Sequence, residues 1–142
     1  MRPSETPIGL LVSSTAKVLS REFDAALAAV GGSRPTWLVL LSLKSAGHRT
    51  QGELAEAVGI SQPTLSHHLD GLEREGLVRR ERSGDNRRVQ IVTVTESGEA
   101  VFLRLRRAAA SFDGRLRAGL GDDDVAELRR LLVVLSENAL PD

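Results

Sequence analysis

The sequence has no cysteine and no tyrosine, and only three histidines, in 142 residues. Without cysteine the chain can form no disulfide, thiolate metal site, cysteine nucleophile or thiol redox sensor, and a reducing cytoplasm is the location this favours. The scarcity of histidine and tyrosine leaves little machinery for general acid–base catalysis. Neither a Gly-x4-Gly-Lys phosphate loop nor a Gly-x-Ser-x-Gly elbow occurs. The sequence therefore predicts a protein that is not an enzyme and that needs no cofactor.

Net charge and long apolar runs are also missing. The 19 basic and 19 acidic residues cancel, and no apolar run approaches the roughly 18 residues that a membrane span needs. A chain of this length, with 41 % apolar and 27 % charged residues, is typical of one globular domain with no membrane partner. The charge is unevenly placed, however. Residues 74–88 contain six arginines against three acids, a local excess of three positive charges.

Apolar periodicity and capping residues predict six helices and two strands. Spacings of three and four predict a long helix over residues 8–30, and Thr50 with Glu53 forms a capping box. Ser61 is a good N-cap for a helix that ends near Gly76. The predicted elements are helices at 8–30, 34–47, 51–59, 62–76, 96–118 and 122–139, and strands at 77–82 and 89–95. The predicted fold is mainly α with a small β-hairpin wing (α+β).

The segment from Gln51 to Asp70 has the pattern of a helix-turn-helix. Ala55 is small where two helices cross, Gly59 lies in the turn, and apolar residues occupy the expected positions of both helices. In the second helix Leu65, Leu69 and Leu72 share one side at about 100° per residue. The opposite side, with its flanks, carries Pro63, Thr64, Ser66, His67, Asp70 and Arg74. Such polar side chains can contact base edges or phosphates, whereas Asp70 is expected to orient a neighbouring arginine or histidine.

Two further residue types invite a ligand interpretation. His67 and His68 are adjacent, so their side chains diverge on a helix and do not have the i, i+4 spacing of a chelating pair. No metal site is therefore predicted. Trp37 is most simply an aromatic residue of the core. The alternative is an apolar ligand pocket to which Trp37 and Leu41 contribute.

Two segments resemble the multiple-antibiotic-resistance-regulator (MarR) family. Residues 61–66 with 72–80 are similar to that family's recognition helix and first wing strand, and residues 85–88 with 93–98 are similar to its wing and following helix. The resemblance implies a winged helix-turn-helix with helical dimerisation elements. It implies one domain over residues 1–142, with a DNA-binding lobe at 34–95 and a dimerisation region at 8–30 and 96–139.

The resemblance also implies a function and a site. A cytoplasmic homodimer would bind a palindromic DNA operator as a transcriptional regulator, most simply a repressor, and a small aromatic or lipophilic ligand would release it. Arg87 would enter the minor groove from the wing tip, with Asp85 as its acidic partner. The remaining DNA-binding residues predicted are Ser61, Gln62, Pro63, Thr64, Ser66, His67, Arg74 and Arg88. His67 stands where the family often has arginine, which puts base preference in question.

Two alternatives remain open at this stage. Residues 64–69 also resemble the recognition helix of the arsenic-repressor-like (ArsR) metalloregulators, although those chains are typically shorter and often use cysteine. The second alternative is a winged-helix module that binds proteins and no DNA. The basic wing disfavours this second alternative.

Overall fold

The computed structural model describes residue 2 and residues 4–141, without the side chain of His48. Six helices and three strands lie within these residues. In chain order they are α1 (Ile8–Ala28), α2 (Arg34–Ala46), β1 (His48–Thr50), α3 (Gln51–Val58), α4 (Gln62–Arg74), β2 (Val78–Arg82), β3 (Gln90–Val94), α5 (Glu96–Leu116) and α6 (Asp122–Ala139). The mainly helical fold class is confirmed, with one more strand than predicted. The outermost residues of the predicted domain, 1 and 142, lie outside the described residues.

The chain divides into two compact units, residues 1–109 and residues 110–142. The first unit holds α1 to α4, the sheet and the beginning of α5. The second holds the end of α5 and all of α6. A single chain tests neither the predicted DNA-binding lobe at 34–95 nor the predicted dimerisation region at 8–30 and 96–139. Both stay predictions.

Side-chain caps fix where the short helices begin. The Thr50 hydroxyl accepts a hydrogen bond from the Glu53 N–H at 3.2 Å, and the Glu53 carboxylate accepts one from the Thr50 N–H at 3.3 Å. This is the predicted capping box. Gly59 ends α3 with φ 80°, a left-handed conformation that favours glycine. The helix-turn-helix predicted from these residues is therefore present.

The sheet has three antiparallel strands in the order β1-β3-β2. β2 pairs with β3 as the predicted hairpin, with Arg80 opposite Val92. The sequence pattern did not predict β1, which pairs with the other edge of β3 and places Arg49 opposite Val92. A strand of three polar residues shows no alternation of apolar and polar side chains, which is the signal that predicts strands.

One hydrophobic core holds the first unit together, and it fixes the orientation of α4. Leu65, Leu69 and Leu72 of α4 are buried in this core, as predicted. The same core contains buried leucines of α1, α2 and α3 and Val92 of β3, among them Leu27, Leu40, Leu43 and Leu54. Because α4 buries one face completely, its opposite face is turned towards solvent.

The second unit buries very little apolar surface. No described residue of α6 is buried. The helix begins where the Asp124 carboxylate accepts a hydrogen bond from the Gly121 N–H at 2.8 Å. It carries an ion pair between Arg130 and Glu127 at 2.7 Å. None of the helices over residues 4–141 combines the length and hydropathy that crossing a bilayer requires.

Candidate nucleic-acid interface

The N-terminal half of α4 presents short polar side chains to solvent. Ser61 caps the helix by accepting a hydrogen bond from the Thr64 N–H at 3.3 Å, and its hydroxyl lies 2.9 Å from the Thr64 hydroxyl. Pro63 occupies the first turn, where a missing N–H has no cost. Among the predicted contact residues of α4, all are exposed except Ser66, which is half-buried: Ser61, Gln62, Pro63, Thr64, His67 and Arg74. The Arg74 guanidinium folds back along its helix and donates from Nε to the Asp70 carbonyl at 3.3 Å.

The tip of the wing is a turn closed by backbone hydrogen bonds. The Ser83 N–H donates to the Val89 carbonyl at 2.8 Å, and the Arg88 N–H donates to the Asn86 side-chain oxygen at 3.1 Å. Arg82 reaches across from β2 and donates from Nη1 to the Arg87 carbonyl at 2.8 Å. The side chains of Arg87 and Arg88 are exposed. The turn therefore holds the backbone of the tip while its arginines remain available to a partner.

The predicted pairing of Asp85 with Arg87 is not formed. Over residues 4–141 the ion pairs do not include one between these two side chains. The Asp85 N–H instead donates to the Ser83 hydroxyl at 3.3 Å. Asp85 is exposed beside Arg87 in the same turn. Its predicted role in holding the arginine against DNA stays a prediction.

A groove of about 610 Å³ separates α4 from the wing. Gln62 and Ser66 line it from α4, and arginines line it from the wing. The remaining lining residues come from the start of α3 and from the wing: Thr50, Gln51, Gly52, Arg80, Arg82, Arg88, Val89 and Gln90. Of its three arginines, Arg80 is paired with carboxylates of α4, whereas Arg82 and Arg88 take part in no ion pair described over residues 4–141. The charge of Arg82 and Arg88 suits an anionic partner.

Comparison with known proteins identifies the fold and its family. The MarR family model matches residues 33–89, which run from the cap of α2 to the end of the wing tip. Among solved structures, the transcriptional repressor CouR bound to a 23-mer DNA duplex is 30 % identical, with a TM-score of 0.83 and coverage of 92 % of each chain. The chain belongs to the MarR family.

Structures of MarR from E. coli extend the likeness of this MarR-family chain. A cysteine-to-serine mutant of MarR complexed with operator DNA is 25 % identical, with a TM-score of 0.81, and the match covers 95 % of this chain and 94 % of that one. Wild-type MarR in its apo form is also 25 % identical, with a TM-score of 0.76 and coverage of 96 % and 98 %. The arsenic-repressor-like alternative is therefore set aside.

The structure adds groove residues that the sequence did not predict. Thr50, Gln51 and Gln90 line the groove beside Gln62 and Ser66. The capping box predicted where α3 begins. No pattern in the sequence indicated that this end of α3 lies beside the wing. β1 brings it there, because β1 pairs with β3 and leads directly into α3. The undetected strand therefore also explains why Thr50 and Gln51 were not predicted as groove residues.

Trp37 and Leu41 occupy different surroundings on α2. Trp37 stacks on Phe102 of α5 with ring centroids 5.6 Å apart and is half-buried against the core. Leu41 is 37 % exposed. The prediction that both line a ligand pocket is not tested by this arrangement, although it supports the core interpretation of Trp37.

An apolar cavity of about 480 Å³ lies elsewhere in the first unit. Ala28, Leu38, Val58 and Ile60 supply apolar lining, and His68 reaches it from α4. Arg34 and Asp24 also line it, joined by two hydrogen bonds of 2.8 and 2.7 Å. The hydrogen bonds from Arg34 lower the pKa of Asp24 below its usual value, so the pair stays charged at neutral pH.

The adjacent histidines of α4 are placed separately, as their spacing predicts. The ring centroids of His67 and His68 are 6.1 Å apart and the rings are tilted by 57°. His67 is exposed on the polar face, and His68 is half-buried. Within residues 4–141, leaving aside the side chain of His48, no three side chains of histidine, aspartate or glutamate come together as a metal ion would require.

Proposed function

We propose that this MarR-family chain binds double-stranded DNA and represses transcription, with α4 in the major groove and the wing tip in the minor groove. The observation that carries the proposal is the position of the exposed polar face of α4 beside a groove lined by Arg82 and Arg88 of the wing. A major groove admits an α-helix, and serine, threonine and glutamine side chains can contact base edges or phosphates there. CouR and MarR have been solved with DNA, which supports the same mode here. Because the proposed partner is DNA, we also propose that the chain functions in the cytoplasm.

Binding to DNA is expected to be steeply salt-dependent although the net charge is zero. Exposed arginines on α4 and the wing would displace counterions, and each displaced counterion changes the slope of log K against log salt by about 0.9. Fluorescence anisotropy with a duplex selected by the protein from a random pool would measure this. Affinity that stays flat between low and physiological salt would contradict the proposed phosphate contacts. Failure to select any duplex would refute DNA binding and favour the protein-binding winged-helix module.

We also propose that the chain works as a homodimer. Leu128, Leu131 and Leu132 of α6 are 49, 43 and 41 % exposed. In the first unit Ile8 and Leu10 of α1 are 59 and 61 % exposed. Apolar side chains in such number on one chain are typical of an oligomer interface. A twofold dimer would read an inverted repeat with half-sites about one helical turn apart.

Light scattering at micromolar concentration is expected to give about twice the 15.3 kDa of one chain. Leu131→Asp should reduce that mass, because a carboxylate in an apolar interface is poorly solvated. Ala126→Asp is the matched control. At about 100° per residue it lies on the side of α6 opposite Leu128, so it introduces the same charge outside the leucine face. A parent mass of one chain would contradict the dimer.

We further propose that a small aromatic or lipophilic effector releases the chain from DNA. The apolar cavity supports it, since it joins α1 and α2 to the α3–α4 turn and to His68 of the DNA-reading helix. A ligand there would bias the position of α4. Leu38→Trp, which fills the cavity, should abolish the release of DNA by a panel of aromatic acids without abolishing DNA binding. Release that persists in this variant would place the effector elsewhere.

A further inference from the structure

A cluster of three charged side chains joins α4 to the first strand of the wing. Arg80 of β2 donates from Nη2 and Nε to Glu73 Oε1, at 3.1 and 3.3 Å. Arg80 Nη2 also contacts the Asp70 carboxylate. The backbone N–H of Arg80 donates to Glu73 Oε2 at 3.1 Å. Both carboxylates lie on the recognition helix, one turn apart, and the arginine lies on the wing.

The surroundings of Arg80 differ from those of a free surface arginine. Its side chain is 16 % exposed, against 55 and 41 % for Asp70 and Glu73. Within the described sheet β2 pairs only with β3, so one edge of β2 has no strand partner. The Glu73 carboxylate accepts a hydrogen bond from the Arg80 N–H and thereby links this edge of β2 to α4. Hydrogen bonds from the Arg80 backbone and side chain lower the pKa of Glu73, so Glu73 is ionised at neutral pH.

The cluster has a net negative charge, whereas attraction to DNA alone would favour a positive charge at this position. Asp70 and Glu73 are two acids on a helix that faces a polyanion, and together they outweigh the single charge of Arg80. Removing either acid would raise the attraction for phosphate if attraction were all that mattered. Their bonds to Arg80 indicate a different role, because bonds between two elements fix the distance and angle between them.

We propose that Arg80 is a positioning residue and not a DNA contact, and that Asp70 and Glu73 hold the wing through it at a fixed angle to the recognition helix. The inference rests on the proposed binding of DNA. α4 and the wing tip must reach two grooves at once, so their relative angle decides how well both fit a specific site. Non-specific binding depends on charge alone. Loss of the cluster should therefore lower specificity more than it lowers general affinity for DNA.

Glu73→Gln and Glu81→Gln form a matched pair that tests the inference. Both replace one glutamate by glutamine. Glu81 is exposed on β2 and takes part in no ion pair described over residues 4–141. Each variant is measured by anisotropy on a duplex of about 30 base pairs selected by the parent from a random pool, and on a scrambled duplex of equal length, long enough for two half-sites. Thermal unfolding is followed in parallel.

Glu73→Gln is expected to bind the selected duplex at least about fivefold more weakly than Glu81→Gln, while the two agree within about twofold on the scrambled duplex. Equal or tighter binding of Glu73→Gln on both duplexes would overturn the inference. Were Glu73→Gln to unfold, Asp70→Asn, which leaves the bonds between Glu73 and Arg80 in place, would carry the same comparison. If the parent enriches no duplex from the random pool, the proposed function itself fails, and this outcome is seen in the selection before any variant is measured.

A second comparison separates positioning from phosphate contact. Arg79 is the exposed neighbour of Arg80 on β2, so Arg79→Gln removes the same charge from the same strand. If Arg80 touched phosphate, Arg80→Gln would reduce the salt slope on scrambled DNA by about 0.9 for each lost contact. We expect that slope to stay at the parent value in Arg80→Gln, and specific binding to be partly recovered in Arg80→Lys. A reduced slope on scrambled DNA would overturn the inference.

Discussion

Replacing Arg87 with alanine is expected to weaken binding to a selected duplex by at least about tenfold. A guanidinium that reaches into a narrow minor groove meets the strongest negative potential of the duplex. A hydrogen bond to a charged group contributes about 1.5–3 kcal/mol, and a dimer would lose one such contact from each wing. Arg87 is exposed at the tip, where only its backbone carbonyl is bonded, to Arg82. The side chain is therefore free to make this contact. The loss should be largest where the wing meets an A·T-rich flank.

Arg106→Ala provides the control for this measurement. Arg106 is exposed on α5 and outside the groove and the wing. Its loss changes the net charge by the same amount and should alter affinity only slightly. Should Arg87→Ala bind within about twofold of the parent, a loss of under roughly 0.4 kcal/mol, the wing would act only as a diffuse positive field. Insertion of Arg87 would then have to be abandoned.

Gly98→Ala is expected to have the largest effect on stability. A β-carbon at Gly98 would lie 2.0 Å from the Leu77 carbonyl oxygen and 2.7 Å from Val94 Cγ2. The carbonyl cannot easily yield, because it accepts the Thr95 N–H at 3.1 Å and the Leu77 N–H is bonded to Leu72 at 2.9 Å. Overpacking of this kind costs about 3 kcal/mol or more. We expect the midpoint of thermal unfolding, followed by circular dichroism, to fall by roughly 10 °C.

Replacing Gly114 with alanine should have the opposite effect on stability. A β-carbon at Gly114 meets no atom within 4 Å, and the residue lies inside the same helix, α5. Alanine is favoured over glycine in a helix interior by about 0.5–1 kcal/mol. Gly114→Ala should therefore unfold at or slightly above the temperature of the parent. If Gly98→Ala also unfolded at that temperature, the close approach of α5 to the start of β2 would be wrong.

Local signals predicted the helix-turn-helix well. The caps at Thr50 and Ser61, the left-handed Gly59 and the leucine face of α4 each depend on residues within one or two turns of the chain. Such signals can be read from a short segment without knowledge of the rest of the fold. They were sufficient to place the exposed face of α4 and hence most of the predicted contact residues. Asp70 contacts an arginine, Arg80, as expected, and its orienting role stays a prediction.

Contacts between distant segments could not be read in the same way. Phe102 of α5 is 6 % exposed and stacks on Trp37 of α2, a contact between two helices far apart in the chain that no local spacing predicts. β1 was not predicted, because its pairing partner is more than forty residues away. The bonds from Arg80 to Glu73 and Asp70 similarly depend on how a strand crosses a helix. No spacing in the sequence encodes that crossing.

The three-residue strand β1 has a consequence for the entropy of recognition. β3 is bonded to β1 on one side and to β2 on the other, and β1 continues directly into α3. The base of the wing is thus ordered as soon as the first unit folds, and the freedom left to adapt is that of the exposed side chains at the tip. Ordering a loop at the moment of association opposes binding. A wing already rigid at its base avoids most of that cost, so the free and DNA-bound forms of the first unit should differ mainly at residues 83–89.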